Sequence, residues 1–371
     1  MRIIIDENMP VADALFTGLG EIVRLPGRLM TAEQVAEADV LLVRSVTKVN
    51  SALLAHNQQL KFVGTATIGT DHIDQALLAE RGIAFSSAPG CNKVGVAEYV
   101  ISSLLVLAER YQLSLAGMTL GIIGAGNTGT ALAQKAQVLG LQICLCDPPL
   151  EQAGDPRAFV SYEVALGCDF VSFHVPLSQA GAHPTYHLLD AERIAALPAG
   201  QFLINASRGE VWDNFALLLR QQGGDPLHLV MDVWEHEPDI LQELIPYTEL
   251  ATQHIAGYSL EGKIMGTYLL YQAYCQFAKL PIEKRWQDLL PAATVNCVHL
   301  QDALTPEVIK QLVHLVYDVR RDDARFRLHY QGAASFDAMR KAYPERREWS
   351  SLQVTGCSDS RLAALGFDQT S

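Results

Sequence analysis

The sequence predicts an α/β protein: two doubly wound parallel-sheet domains followed by a small α+β module. Three observations carry this. Short apolar strands alternate with amphipathic helical stretches from the first residues onward, the pattern of a parallel sheet covered on both faces. The alternation restarts at Met118, after one long and nearly all-apolar helical stretch. Beyond about residue 285 it gives way to a mixed segment. At roughly 150 residues per domain, 371 residues suit two or three domains.

In the first block, 3–5, 39–43 (DVLLV), 61–65 (KFVGT) and 84–86 read as strands, with VADALFTGLG and QALLAERG as helices between them. Residues 92–113 read as a single helix with an apolar middle, buried as a spine. The second block offers six strands: 119–126, 141–147, 169–176, 201–208, 227–233 and 249–257, the last running into a loop. A helix over 261–280 and a linker, LPIEKRWQDLLP, follow. In the last segment, TVNCVHL and FRLHY read as strands and PEVIKQLVHLVYDV as a helix. No internal repeat or low-complexity tract occurs.

Composition excludes several classes. Hydrophobic residues make up 49% and charged residues 19%, a globular balance that argues against long disorder or coiled coil. With 28 basic and 41 acidic residues the net charge is −13, so neither nucleic acid nor an anionic membrane is an expected partner. The most apolar helical stretch, 97–108, is too short to cross a bilayer and carries Glu98. The start, MRIIIDENMP, lacks the pattern of a signal peptide. Seven cysteines, an odd number without C-x-x-C, read as buried thiols in a reducing, cytoplasmic compartment. No metal site is expected.

Gly124-Ala125-Gly126-Asn127-Thr128-Gly129 spells G-x-G-x-x-G directly after an apolar strand and at the start of a helical run. The first glycine permits the tight turn, the second admits a pyrophosphate to the backbone, and the third lets helix pack on strand. The helix N-terminus then presents N–H groups to the phosphates. Asp147 closes the next strand, eighteen residues after Gly129. A carboxylate there accepts hydrogen bonds from a ribose and repels a 2′-phosphate. With Pro148 and Pro149 following and no adjacent Arg, NAD is the expected cofactor rather than NADP.

Arg208, Glu237 and His254 each lie at or just past the carboxyl end of an expected strand, where open α/β sheets bind ligands. Singly, each has an ordinary structural explanation. Together, downstream of a dinucleotide motif, they suit oxidation of a 2-hydroxy acid. Guanidinium grips a carboxylate with two parallel donors. Imidazole takes the hydroxyl proton as C2 loses hydride, and a carboxylate behind it orients the ring and stabilises imidazolium. Asp232 is expected on the nicotinamide side. Arg44 and Ser45, followed by Thr47 and Lys48, form a candidate anion nest at one strand end, and Thr67 lies at another.

These elements resemble the D-isomer-specific 2-hydroxyacid dehydrogenase family. The resemblance rests on VGTATIGTDHID (63–74), the late glycine motif, INASRGEVWDN (204–214), DVWEHEP (232–238) and HIAGY (254–258), and spans about residues 1–280. It implies a substrate domain (1–95 and 257–280) interrupted by a Rossmann NAD domain (96–256). By the family's roles, Arg208 binds and polarises substrate, His254 is the acid/base and Glu237 its partner. Val175, Ala206, Ser207, Asp232 and Gly257 join Gly124, Gly126, Asn127, Thr128, Gly129 and Asp147 against the cofactor. Ser45, Thr67 and Tyr258 face the substrate, with Arg44 beside them. A closer likeness to one branch of the family rests on DENMP, VRSVTKVN (43–50), APGCN (88–92), HIAGYSLEGK (254–263) and ERREWSSLQV (345–354). It implies a small phosphorylated hydroxy acid as substrate, and a C-terminal domain (285–371) that makes a homodimer. Arg346 and Arg347 are candidates to reach a partner's phosphate or to form a solvated charge cluster. Two departures stand out: Gln253 replaces the family's usual Pro, and Glu210 adds an acid beside an anion site. Oxidation of another acid such as 3-phosphoglycerate, or NAD sensing without catalysis, are the competing readings.

Overall fold

A computed structural model of the chain describes residues 1–369. Two compact units emerge: residues 1–92 with 260–292, and residues 93–259 with 293–371.

The first unit holds five parallel strands, β1 (Arg2–Asp6), β2 (Glu21–Leu25), β3 (Val40–Val43), β4 (Phe62–Thr65) and β5 (Ala84–Ser86), in the order β2-β1-β3-β4-β5. Strand β2 is absent from the sequence-based expectation. It is an edge strand with no fully buried residue, so its EIVRL carries little apolar signal. Ile3, Ile5 and Leu42 face Leu270, Tyr271 and Tyr274 of the helix Leu260–Ala278, while Ile4, Leu41 and Val43 face the other layer. Alternate residues of one strand therefore feed two cores, as a doubly covered sheet requires. Val43 pairs with Thr65, which sets the ends of β3 and β4 side by side.

The second unit contains a six-stranded parallel sheet: β6 (Thr119–Ile123), β7 (Gln142–Cys146), β8 (Phe170–Phe173), β9 (Phe202–Asn205), β10 (His228–Met231) and β11 (Thr248–Ala251). The order is β11-β10-β9-β8-β6-β7, so chain direction across the sheet reverses between β6 and β8. Crevices at such reversals are where dinucleotides bind. The helix Lys93–Arg110 is buried from Gly95 to Ala108 in the core of this unit. Its Glu98 is pushed up to about 8 by burial, despite the nearby Lys135 ammonium at 3.6 Å.

Residues 293–371 group with the second unit rather than forming a compact unit of their own. β12 (Cys297–His299) pairs in parallel with β13 (Gln353–Thr355). Helices span Pro306–Val316, Val319–His329, Ala333–Lys341 and Ser360–Leu365. The segment FRLHY, expected as a strand, belongs to the second of these. Asp318 caps that helix through the Arg320 N–H, and Val319, Asp322 and Phe326 recur at helical spacing as its buried face. All seven cysteines are free thiols. Cys297 is exposed, contrary to the expectation that all are buried. No helix is long and apolar enough to cross a membrane among the described residues.

His174 follows β8. Its Nε2 meets Ser172 Oγ at 2.8 Å, its Nδ1 is sealed from solvent without a partner, and burial pushes its pKa down to about 3. The unfolded chain, with an ordinary imidazole near 6.5, binds the extra proton first. Stability attributable to this group is therefore present above about pH 6.5 and is lost as pH falls toward about 3. In denaturant titrations, His174→Asn is expected to lose less stability than the parent between about pH 7 and about pH 5. Equal losses would show that His174 does not govern that limb.

Candidate active site

The glycine turn joins β6 to the helix Asn127–Val138. Gly124 has φ +95°, and a Cβ there would lie 2.6 Å from His174 O. A Cβ on Gly129 would lie 2.1 Å from Gly124 O. Both positions thus exclude a side chain, one by backbone conformation and close approach, the other by packing. A Cβ on Gly126, at the helix N-cap, would meet nothing within 4 Å. The surface is open where the second glycine of the motif admits a pyrophosphate, so the turn fits the dinucleotide. Asn127 and Thr128 begin the helix. A cleft of about 520 Å³ runs along it, lined among others by Gly126, Asn127, Lys93 and Arg157.

Asp147 ends the next strand as expected, and has a task the sequence did not disclose. Its Oδ2 accepts from Ala125 N at 2.8 Å, holding the glycine turn, and its Oδ1 caps the short helix Pro148–Gln152. No Arg adjoins it in sequence, but Arg157 reaches the turn, donating to Ala125 O and Thr130 Oγ1. The charge of Arg157 is engaged by Asp155 through two bonds of 2.8 Å, which hold that carboxyl down at about 2. Val175, just past β8, lies within 3.0 Å of where a Gly124 Cβ would sit.

At the end of β9 the segment Ala206-Ser207-Arg208 is folded by Asn205. This fully buried amide accepts from Ser207 N and Ser207 Oγ and donates to Arg208 O. Gly209 then passes so close to the next loop that a Cβ would lie 1.9 Å from the Trp234 carbonyl carbon. The Arg208 turn and the loop carrying Glu237 are thereby packed backbone to backbone.

Glu237 and His254 are in direct contact, Oε2 to Nδ1 at 2.7 Å, while Glu237 Oε1 accepts from Trp234 N at 2.9 Å. With Nδ1–H donated to the carboxylate, Nε2 is left as the base. Burial alone would raise the Glu237 carboxyl. The His254 ring, its hydrogen bond, the Arg340 guanidinium and the Trp234 N–H outweigh burial and hold it below the ordinary carboxylate value. His254 has φ +57°, a left-handed conformation that costs a non-glycine residue about 1–2 kcal/mol.

Asp232, expected against the cofactor, is 1% exposed and has both oxygens engaged by the His254 loop. Oδ1 accepts from Thr252 Oγ1 and Ile255 N, both at 2.7 Å, and Oδ2 from Ala256 N at 2.9 Å. Gly257 and Tyr258 follow on the same loop, closed by Tyr258 N to Ile255 O at 2.8 Å. Gln253, the departure from the family's Pro, is fully buried, with neither side-chain polar atom partnered.

In the first unit, Arg44 and Ser45 follow β3 and Thr67 follows β4, neighbours through the Ala66 N to Val43 O bond. Thr67 Oγ1 bonds Gly69 O and Thr65 Oγ1. Thr47 does not serve the expected anion nest: it is buried, and its hydroxyl donates to Gly27 O. Arg346 forms no solvated cluster either. It is 5% exposed and donates to Ala256 O and Gly95 O within its own chain.

Residues 106–256 match the family model described as D-isomer specific 2-hydroxyacid dehydrogenase, NAD binding domain. Together with the glycine turn and the Glu237–His254 couple, this makes the chain an NAD-dependent D-isomer-specific 2-hydroxyacid dehydrogenase. Two solved structures share the fold. The NAD⁺-bound 3-phosphoglycerate dehydrogenase of Entamoeba histolytica has a TM-score of 0.65 at 22% identity, covering 75% of this chain and 95% of its own. The formate dehydrogenase of Staphylococcus aureus in complex with NAD has a TM-score of 0.61 at 21% identity, covering 76% and 97%. Relatives in sequence are far nearer. Proteins named erythronate-4-phosphate dehydrogenase from Tolumonas auensis and Aeromonas salmonicida are 64% and 59% identical, over 99% of this chain and 99% of their own. The chain belongs to the erythronate-4-phosphate dehydrogenase family. Residues 289–366 match a model described only as a domain of unknown function (DUF3410).

Sequence reasoning did not find Asn205, Thr252 or Tyr99, whose hydroxyl lies 2.9 Å from Thr252 Oγ1. Asn205 holds backbone, while the Tyr99 and Thr252 hydroxyls support the Asp232 carboxylate, roles without a motif. The close approach at Gly209 yields a direct test. Gly209→Ala must push the Arg208 turn away from the Trp234 backbone, and kcat/KM is expected to fall about 10²-fold, since displacements near 1 Å suffice for that. Activity within twofold of the parent would show that the two loops adjust independently.

Proposed function

We propose that this protein oxidises 4-phospho-D-erythronate at C2 to 2-oxo-3-hydroxy-4-phosphobutanoate, a step of pyridoxal 5′-phosphate biosynthesis. The observation that carries the chemistry is the 2.7 Å Glu237–His254 couple beside the Arg208 turn. The relatives' shared name supports the substrate. Arg208 grips the substrate carboxylate and polarises C2. His254 Nε2 takes the hydroxyl proton, and Glu237 balances the imidazolium that forms. NAD, held at Gly124–Gly129, Asp147, Val175, Ala206, Ser207, Asp232 and Gly257, supplies the hydride acceptor. Arg44, Ser45, Thr67 and Tyr258 are the residues assigned to the rest of the substrate, including its phosphate. Free thiols throughout suit a cytoplasmic setting. The C-terminal module makes the homodimer.

Purified protein mixed with NAD and 4-phospho-D-erythronate is expected to develop nicotinamide absorbance, and none with 3-phosphoglycerate. The reverse selectivity would reassign the substrate, and no hydride transfer with any 2-hydroxy acid would favour a sensor. His254→Ala is expected to slow the chemical step about 10²–10⁴-fold. Near-parental turnover would remove His254 from the role of base. Arg208→Lys should also impair turnover severely, because a point cation cannot supply the two parallel donors, and unchanged activity would contradict the carboxylate grip.

A further inference from the structure

The loop that carries His254 is held from the C-terminal module at four places. Asp323 Oδ1 accepts from Ala251 N at 2.7 Å. Arg346 Nη1 donates to Ala256 O at 2.8 Å. Glu348 Oε1 accepts from Ser259 Oγ at 2.7 Å. Tyr343 meets the Tyr258 ring edge-on, with centroids 5.8 Å apart. Arg340, on the helix Ala333–Lys341, completes this set and differs from the rest. Its guanidinium carbon lies 5.5 Å from the centroid of the Tyr258 ring, and the side chain hydrogen-bonds Tyr258. It also lies close enough to Glu237 and Asp232 to feel both carboxylates. Its Nε is sealed from solvent without a partner.

We propose that Arg340 is a positioning residue for the substrate: the C-terminal module extends it onto Tyr258 to fix that phenol where the hydroxy acid binds. A flat guanidinium can stack on a phenol ring while donating from its edge, which a lysine ammonium cannot reproduce. The module therefore acts on the reaction within its own chain. The inference rests on the assignment of Tyr258 to the substrate under Proposed function.

Steady-state kinetics of the full-length protein test it. Arg340→Gln is expected to raise KM for 4-phospho-D-erythronate about tenfold, more than it lowers kcat, because an interaction made equally in ground and transition states is lost. KM for NAD should stay within twofold. Tyr258→Phe is expected to raise the substrate KM likewise, and the double variant should be no worse than the poorer single one, since both act through one contact. A substrate KM for Arg340→Gln within twofold of the parent would overturn the proposal. So would a double variant whose loss equals the product of the two singles. If Arg340→Gln does not fold, the same cycle with Arg340→Lys keeps both criteria. A parent enzyme that turns over no 2-hydroxy acid would instead defeat the functional assignment, and the positioning role with it.

Discussion

The catalytic geometry depends on one buried carboxylate. Asp232 gathers Thr252 Oγ1, Ile255 N and Ala256 N onto its two oxygens and so bends residues 252–256 around the end of β10. Hydrogen bonds to a charged group contribute about 1.5–3 kcal/mol each. Three of them outweigh the roughly 1–2 kcal/mol that the left-handed conformation of His254 costs. The backbone bond His254 N to Asp232 O, 2.6 Å, closes the bend. The imidazole then meets Glu237 with no freedom to search for it. Pre-organisation of this kind is what gives a general base its advantage over the same group in water.

The same economy runs through the neighbouring turns. Thr252 Oγ1 accepts from the Tyr99 hydroxyl of the long buried helix and donates to Asp232 Oδ1, and Trp234 Nε1 donates to Thr252 O at 2.9 Å. Asn205 does for the Arg208 turn what Asp232 does for the His254 loop: one buried side chain holds three backbone or hydroxyl groups. Gly209 lets the two turns touch. The candidate catalytic side chains are few, and the groups that fix their loops are buried and paired. That division explains why the loops can be irregular without being loose.

It also explains what the sequence disclosed. Strands with four buried residues, such as VLLV and FLIN, announce themselves, and so do the glycine turn and the three candidate side chains Arg208, Glu237 and His254, because chemistry restricts which residue types can serve. The edge strand EIVRL was illegible because its burial is partial. FRLHY misled because its aromatic and aliphatic residues favour a strand locally, while Phe326 is drawn into a helical face against Trp234 and Phe336. Asp147 and Asp232 were legible as acids at strand ends, and their scaffold duties were not, since a hydrogen bond to a backbone N–H leaves no trace in spacing.

Arg340 lay beyond reach for a different reason. It stands 86 positions after His254 in number (340 − 254), on a helix, AASFDAMRK, whose composition resembles any half-buried surface helix. Only the packing of Phe326 and Phe336 into the face of the six-stranded sheet turns that helix toward Tyr258. A cation delivered in this way suits an acidic chain. With a net charge of −13, the overall field repels a hydroxy acid that carries both a carboxylate and a phosphate. Attraction must come at short range from guanidinium groups placed where the field of the rest is screened or paired. Arg208, just past the carboxyl end of the interior strand β9, is the group proposed for that task. Arg340, from a module that also braces the loop, stacks on Tyr258 instead, so one packing arrangement sets both that phenol and the His254 loop.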